Sequence, residues 1–199
     1  GETGVGKTRL LEAMRDDAAG FRLLPAVCEA YTASPPYVLW RELLREMMDI
    51  GRQAPDQDVV QRLSTIARDR APDLTPWLPL LAIAFDVDMP PTPEVEMLAE
   101  KNRRPKLQET VGRYLDAMLP DPTLIEIENT HHMDEASAEL LAYLARSIQP
   151  RPWVIGVARR PAAGGFTAPK AAGVIRIDLE PLAEADALRV TRLATEQNP

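Results

Sequence analysis

Apolar positions along the chain change their period several times, and each change marks an element. Leu10, Leu11, Met14 and Ala18 recur at helical spacing in "TRLLEAMRDDA", so a helix occupies the start of the chain and stops near Gly20. "FRLLPAVCEA" then reads as a short strand. In "PYVLWRELLREMMDI", Val38, Leu39, Leu43, Met47 and Ile50 fall on one helical face, and residues 56–84 hold two further helices, "DQDVVQRLSTIARDR" and the stretch around Trp77. The proline-dense "DVDMPPTPEVE" interrupts this pattern, because proline lacks an amide donor and biases its predecessor toward extended backbone; an extended loop is expected there. Beyond it come a helix in "RRPKLQETVGRYLDAML", an apolar strand "TLIEIE", a helix "DEASAELLAYLARSI", a strand "WVIGVA", a Gly/Ala/Pro loop, a strand "VIRIDL" and a last helix. Strands alternating with helices imply parallel βαβ units with right-handed crossovers, hence an α/β fold.

Composition narrows the function classes. The chain has 199 residues, 45% of them hydrophobic and 27% charged, enough for one globular core. Its net charge of −7 with scattered basic residues argues against direct nucleic-acid contact by this segment, since neutralising phosphates needs clustered Lys and Arg. One cysteine, Cys28, cannot form an internal disulfide; a packing role in a reducing cytoplasm is expected. The longest apolar run, "LPLLAIAF", is too short for a bilayer, so no membrane partner is expected. Trp40 and Trp77 are read as core.

The chemistry begins at residue one. In "GETGVGKTRL", Gly1, Gly6, Lys7 and Thr8 satisfy GxxxxGK[ST], a loop whose amides wrap nucleotide phosphates while the lysine reaches the β and γ groups. Thr8 supplies a hydroxyl for Mg²⁺, and the helix behind it offers its N-terminal dipole to the anion. The expected nucleotide contacts are Glu2, Thr3, Gly4, Val5, Gly6, Lys7, Thr8 and Arg9, with ATP and Mg²⁺ as the ligands. Such a loop hangs from the end of a buried parallel strand, and nothing here precedes it; the chain is therefore expected to be a fragment that binds nucleotide poorly by itself.

A carboxylate at the end of another buried strand is the expected complement, because Mg²⁺ and an attacking water both need one near the γ-phosphate. "PTLIEIENTHHMDEAS" is the only apolar strand that ends in acids and runs into a capped helix, so Glu128 is the candidate metal and catalytic carboxylate. Glu126 lies on the same face, deeper in the strand; a buried carboxylate there is expected to pair with a basic side chain of the covering layer rather than serve the site. A metal pair at His131 and His132 is disfavoured, on the argument that adjacent side chains point apart and no Cys or carboxylate cluster accompanies them.

These segments, with "PWLPLLA", "PPTPEVE", "MDEAS", "RPWVIGVARRP" and "IDLEPL", resemble the P-loop ATPase module of signal-transduction (STAND) ATPases. Within that class, the likeness is to the AAA-like module of bacterial multidomain adenylate or guanylate cyclases and large LuxR-type regulators, and it covers nearly the whole chain. It implies a three-layer α/β/α P-loop NTPase fold with a mostly parallel sheet, in which the first strand and a C-terminal helical lid are missing from residues 1–199, with inserted helices at 35–90. It also implies that Arg159 and Arg160, at the end of the sensor strand, contact the γ-phosphate as catalytic groups with Lys7 and Glu128, and that His131 matches the family's histidine. Arg103 and Arg104 are weaker candidates, expected at a solvated helix end. Where the family has an acidic pair this chain has Glu128 and Asn129, and His132 replaces the usual tryptophan, so hydrolysis is expected to be slow. The function implied is an ATP-dependent switch passing its state to other domains of a parent signalling protein. A nonhydrolysing ATP-binding scaffold and, more distantly, a small-molecule phosphotransferase stand as alternatives.

Overall fold

The computed structural model describes residues 5–30, 35–148, 150–181 and 186. Three strands, β1 (Arg22–Val27), β2 (Thr123–Glu128) and β3 (Trp153–Val157), form one parallel sheet in the order β1-β2-β3. Leu24 pairs with Ile125 and Ile125 with Ile155, so Leu24, Ile125 and Ile155 share a face, as do Pro25, Glu126 and Gly156 on the opposite one. The α/β class and parallel pairing read from the sequence hold, and the arrangement is that of a P-loop NTPase-like fold.

The helices divide unequally between the faces. Alpha helices α2 (Val38–Met47), α3 (Asp56–Arg70), α4 (Leu78–Phe85), α5 (Pro93–Glu96), α6 (Glu100–Met118) and α7 (Glu135–Arg146) share one continuous core with Leu24, Ile125, Ile127 and Trp153. Trp40 and Leu44 of α2, Leu63 of α3, Leu81 and Phe85 of α4, and Tyr114 and Leu115 of α6 are fully buried in it. The "LPLLAIAF" run is α4, apolar on nearly every side because other elements surround it. Trp77 is half-buried, with the Lys106 ammonium 4.4 Å from its ring centre.

On the opposite face lies α1 (Lys7–Asp17). A Cβ added to Gly156 would fall 2.3 Å from Met14 Cε, so that glycine admits the helix against β3. Leu11 is buried, but Leu10 is 41% exposed. The packed stripe runs through Leu11 with half-buried Met14, Arg15 and Ala18; Arg15 takes the place expected for Leu10. Among the described residues α1 is the helix on this face, and Leu23, Val27 and Val154 remain exposed on it.

Two sequence expectations change. "DVDMPPTPEVE" is extended only as far as Thr92. There the Thr92 hydroxyl accepts the Val95 amide at 3.4 Å and donates to the Pro76 carbonyl at 2.6 Å, and this cap, with Pro93 at the first helical position, starts α5. "VIRIDL" (174–179) forms no strand, and Ile175 and Ile177 are exposed. Alternation supplies a face but no hydrogen-bond partner, and this segment pairs with neither edge of the three-stranded sheet. The expected last helix, beyond residue 181, lies outside the described residues apart from Asp186.

Cys28 follows β1 and packs into the core; burial, then the charges of Asp134 and Glu42, push its thiol up to about 12. A thiol that ionises only there is almost wholly protonated at pH 8, so a disulfide reagent is expected to label native protein at least about a thousandfold more slowly than urea-unfolded protein. The unfolded thiol loses its proton first as pH rises. Cys28 therefore adds a loss of stability with increasing pH between the ordinary thiol range and about 12. Equal labelling rates in both states would contradict the buried placement.

Candidate functional site

The start of α1 is built to face an anion. Gly6 is its N-cap at φ +93°, a left-handed conformation that glycine adopts without strain. The Leu10 amide donates to the Gly6 carbonyl at 3.0 Å, closing the first turn, while the helix offers no acceptor for the amides of Lys7, Thr8 and Arg9. Gly6 has no side chain to cap them, and no acidic side chain lies in the first turn. Their partial positive charge is thus unopposed by any carboxylate of that turn. Val5 and Lys7 are half-buried, Thr8 and Arg9 exposed, and Arg9 pairs with Glu12 at 2.9 Å. Glu2, Thr3 and Gly4, also expected contacts, lie outside the described residues.

Across from this helix, β2 brings two carboxylates to one face. Glu126 is 1% exposed and accepts a two-pronged contact from Arg15 of α1, with Nε donating to Oε2 at 2.7 Å and Nη2 to Oε1. The expected partnership with a basic side chain of the covering layer is therefore present. Glu128 ends the strand with its side chain 30% exposed, and its Oε1 is 4.0 Å from the same Arg15 Nη2.

The turn after β2 is held by long-range backbone bonds: the Thr130 amide to the Ala158 carbonyl at 3.0 Å, and the Ala158 amide to the Ile127 carbonyl at 2.9 Å. Asn129 is left-handed at φ +56°, where asparagine is among the residues that fit. Thr130–His132 then form a single 3₁₀ turn, and Asp134 caps α7 by accepting the Ser137 amide at 2.8 Å and the Tyr37 amide at 3.0 Å. The sequence argument that His131 and His132 point apart is corrected: their ring centres are 4.0 Å apart. Opposed side chains belong to a strand; in a tight helical turn neighbours can fold against each other. Burial first, then His132, Arg160, Arg159 and Lys7, hold the His131 imidazole below its ordinary value. These neighbours come from the start of α1, the turn after β2 and the end of β3.

The two sensor-strand arginines part ways. All five N–H groups of Arg159 point into the 160–167 loop: Nη1 to the Phe166 carbonyl at 2.6 Å and Thr167 Oγ1 at 2.8 Å, Nη2 to the carbonyls of Ala162 and Gly164, and Nε to that of Arg160. Arg160 is exposed, and its backbone amide lies 3.5 Å from His131 Nδ1. The loop closes back on the site where the Phe166 amide meets the Thr130 carbonyl at 2.9 Å. Arg103 and Arg104 lie in the first turns of α6, paired with Glu100 and Glu139 respectively.

Gly165 makes that closure possible. At φ +64°, a Cβ there would lie 2.2 Å from the Thr130 carbonyl oxygen and 2.6 Å from His131 Cα, backbone atoms that cannot swing aside. Gly165→Ala is expected to cost about 1–3 kcal/mol of stability, measured by urea unfolding, and to displace the His131 turn. An unchanged urea midpoint would show that the loop does not rest on Thr130.

Hard oxygen donors at Thr8 and Glu128 could hold a magnesium ion, and Lys7, Arg160 and the first amides of α1 could hold phosphate oxygens; the donor chemistry fits a magnesium-bound nucleotide. Sequence reasoning did not name Arg15. Its signal was a basic residue on the packed stripe, four positions after Leu11, facing a strand with an acid among apolar residues. No curated protein and no solved structure matches the chain. The family model described as AAA ATPase domain matches residues 1–155, and the chain belongs to that family.

Proposed function

We propose that this AAA ATPase domain works as an ATP-dependent switch in a multidomain cytoplasmic signalling protein, with residues 1–199 forming one module into which the helices of 35–90 are inserted, and with slow hydrolysis. The observation that carries this reading is the glycine-capped start of α1, whose first turn holds Lys7 and no acid, together with Arg160 at the end of β3, its amide 3.5 Å from His131 Nδ1 in the turn that follows Glu128. ATP would lie along Glu2–Arg9. Thr8 and Glu128 would hold Mg²⁺, which would supply charge neutralisation to the phosphates. Lys7 and Arg160 stabilise the γ-phosphoryl oxygens, while Arg159 keeps the adjoining loop in shape. Glu128 orients water for in-line attack: the new P–O bond forms as the bond to the β,γ-bridging oxygen breaks, giving ADP and phosphate. Loss of the γ-phosphate removes Arg160's partner, and the loop joined to the His131 turn passes that change to neighbouring domains.

The scaffold reading is favoured by one feature, Asn129, which sits where the family has an acid and whose left-handed backbone already suits asparagine. Phosphate release and nucleotide titration on the parent protein, as wild type and as Asn129→Asp, decide between them. Slow release in the wild type, rising about 10- to 100-fold in Asn129→Asp, is the expected result. Tight binding with no release from either protein would establish the scaffold, and absence of binding by the wild-type parent protein would remove both readings.

A further inference from the structure

A buried carboxylate of β2 paired with a half-buried guanidinium of α1 needs explaining. Glu126 lies between Leu124 and Glu128 on one face of β2, and it is 1% exposed. Burying a carboxylate costs desolvation that a half-exposed guanidinium offsets only in part, so packing alone gives no reason for it. Its geometry gives one. The guanidinium lies between two carboxylates of the same strand face, with Nε and Nη2 both on Glu126 and Nη2 4.0 Å from Glu128 Oε1. A guanidinium presents its donors as a planar fork, and a carboxylate that accepts two of them fixes the fork's direction. Glu126 is fully engaged in this way, whereas Glu128 is left at the outer limit of an ion pair.

We propose that Glu126 is a positioning residue that holds the Arg15 guanidinium off Glu128, keeping the strand-end carboxylate available to the magnesium of a bound nucleotide. Without the Glu126 charge, the remaining carboxylate within ion-pair distance of the guanidinium, among the described residues, is Glu128, its Oε1 already 4.0 Å from Nη2. Arg15 then occupies the oxygens that would otherwise face the cation. The inference rests on the reading of Glu128 as the metal-side carboxylate.

The test measures affinity for a fluorescent ATP analogue with magnesium and again with EDTA, in the parent protein as wild type, Glu126→Gln and Arg15→Met/Glu126→Gln. In Glu126→Gln the magnesium-dependent gain in affinity is expected to shrink about tenfold, with binding in EDTA little changed. The double variant, which has no guanidinium to misplace, is expected to regain the wild-type magnesium dependence within about twofold. A merely structural pair would not produce that recovery. An undiminished gain in Glu126→Gln, or a gain still depressed in the double variant, would overturn the proposal; if the single variant fails to fold, the double variant alone decides it by the same criterion. A wild type that binds nucleotide with no magnesium-dependent gain would instead refute the role of Glu128.

Discussion

Trp40→Ala is expected to lower the unfolding free energy by about 3–5 kcal/mol, the largest stability effect of any single side-chain truncation considered. Trp40 is 0% exposed in α2 and is in the common core with residues of α4, α6 and α7. Its indole N–H donates to the Ser137 carbonyl at 3.1 Å, linking α2 to the first turn of α7. Truncation removes the buried apolar area, leaves a cavity that surrounding helices fill only in part, and removes the indole bond to the first turn of α7. Equilibrium urea unfolding measures the loss. A midpoint within error of the wild type would mean that the inserted helices do not share a core with the sheet. Because Asp134 holds the Tyr37 amide beside this contact, the variant is also expected to weaken the geometry of the 129–133 turn.

Lys7→Ala is expected to reduce nucleotide affinity by about a hundredfold or more, which corresponds to about 3 kcal/mol. Lysine is a compact charge at the first position of α1, and the same helix start offers phosphate its backbone amides. Loss of the side chain leaves those amides in place, so weak residual binding is the expected remainder. Alanine is favourable within a helix, and the fold is expected to survive, as unchanged circular dichroism would show. Titration with ATP and magnesium reads the effect. Undiminished affinity would place the nucleotide elsewhere on the protein and would take the proposed switch with it. Removal of Lys7 also relieves one of the charges that hold the His131 imidazole down, so that histidine is expected to titrate at a higher pH in the variant, measurable by NMR.

Local pattern carried much of the architecture. The helix read from "DQDVVQRLSTIARDR" is α3 residue for residue, and the strand read from "TLIEIE" is β2, because a sustained period and a clear terminus are properties of neighbours in the chain. The glycines and lysine at the start are legible for a related reason: phosphate binding by consecutive amides needs those residue types in one short segment. What local pattern could not supply was partnership. Arg15 and Glu126 are separated by 111 positions, and only packing of α1 on the sheet shows that they meet. Arg159 and Arg160 look equivalent in "VARRP", yet one is drawn into the loop by carbonyls of residues 160, 162, 164 and 166 while the other stays exposed. "VIRIDL" has the alternation of a strand without a neighbour to pair with among the described residues. Periodicity and motif chemistry are short-range and were decided by the order of residues, whereas the choice of ion pair, arginine direction and strand pairing depends on which groups the tertiary structure brings within a few ångströms.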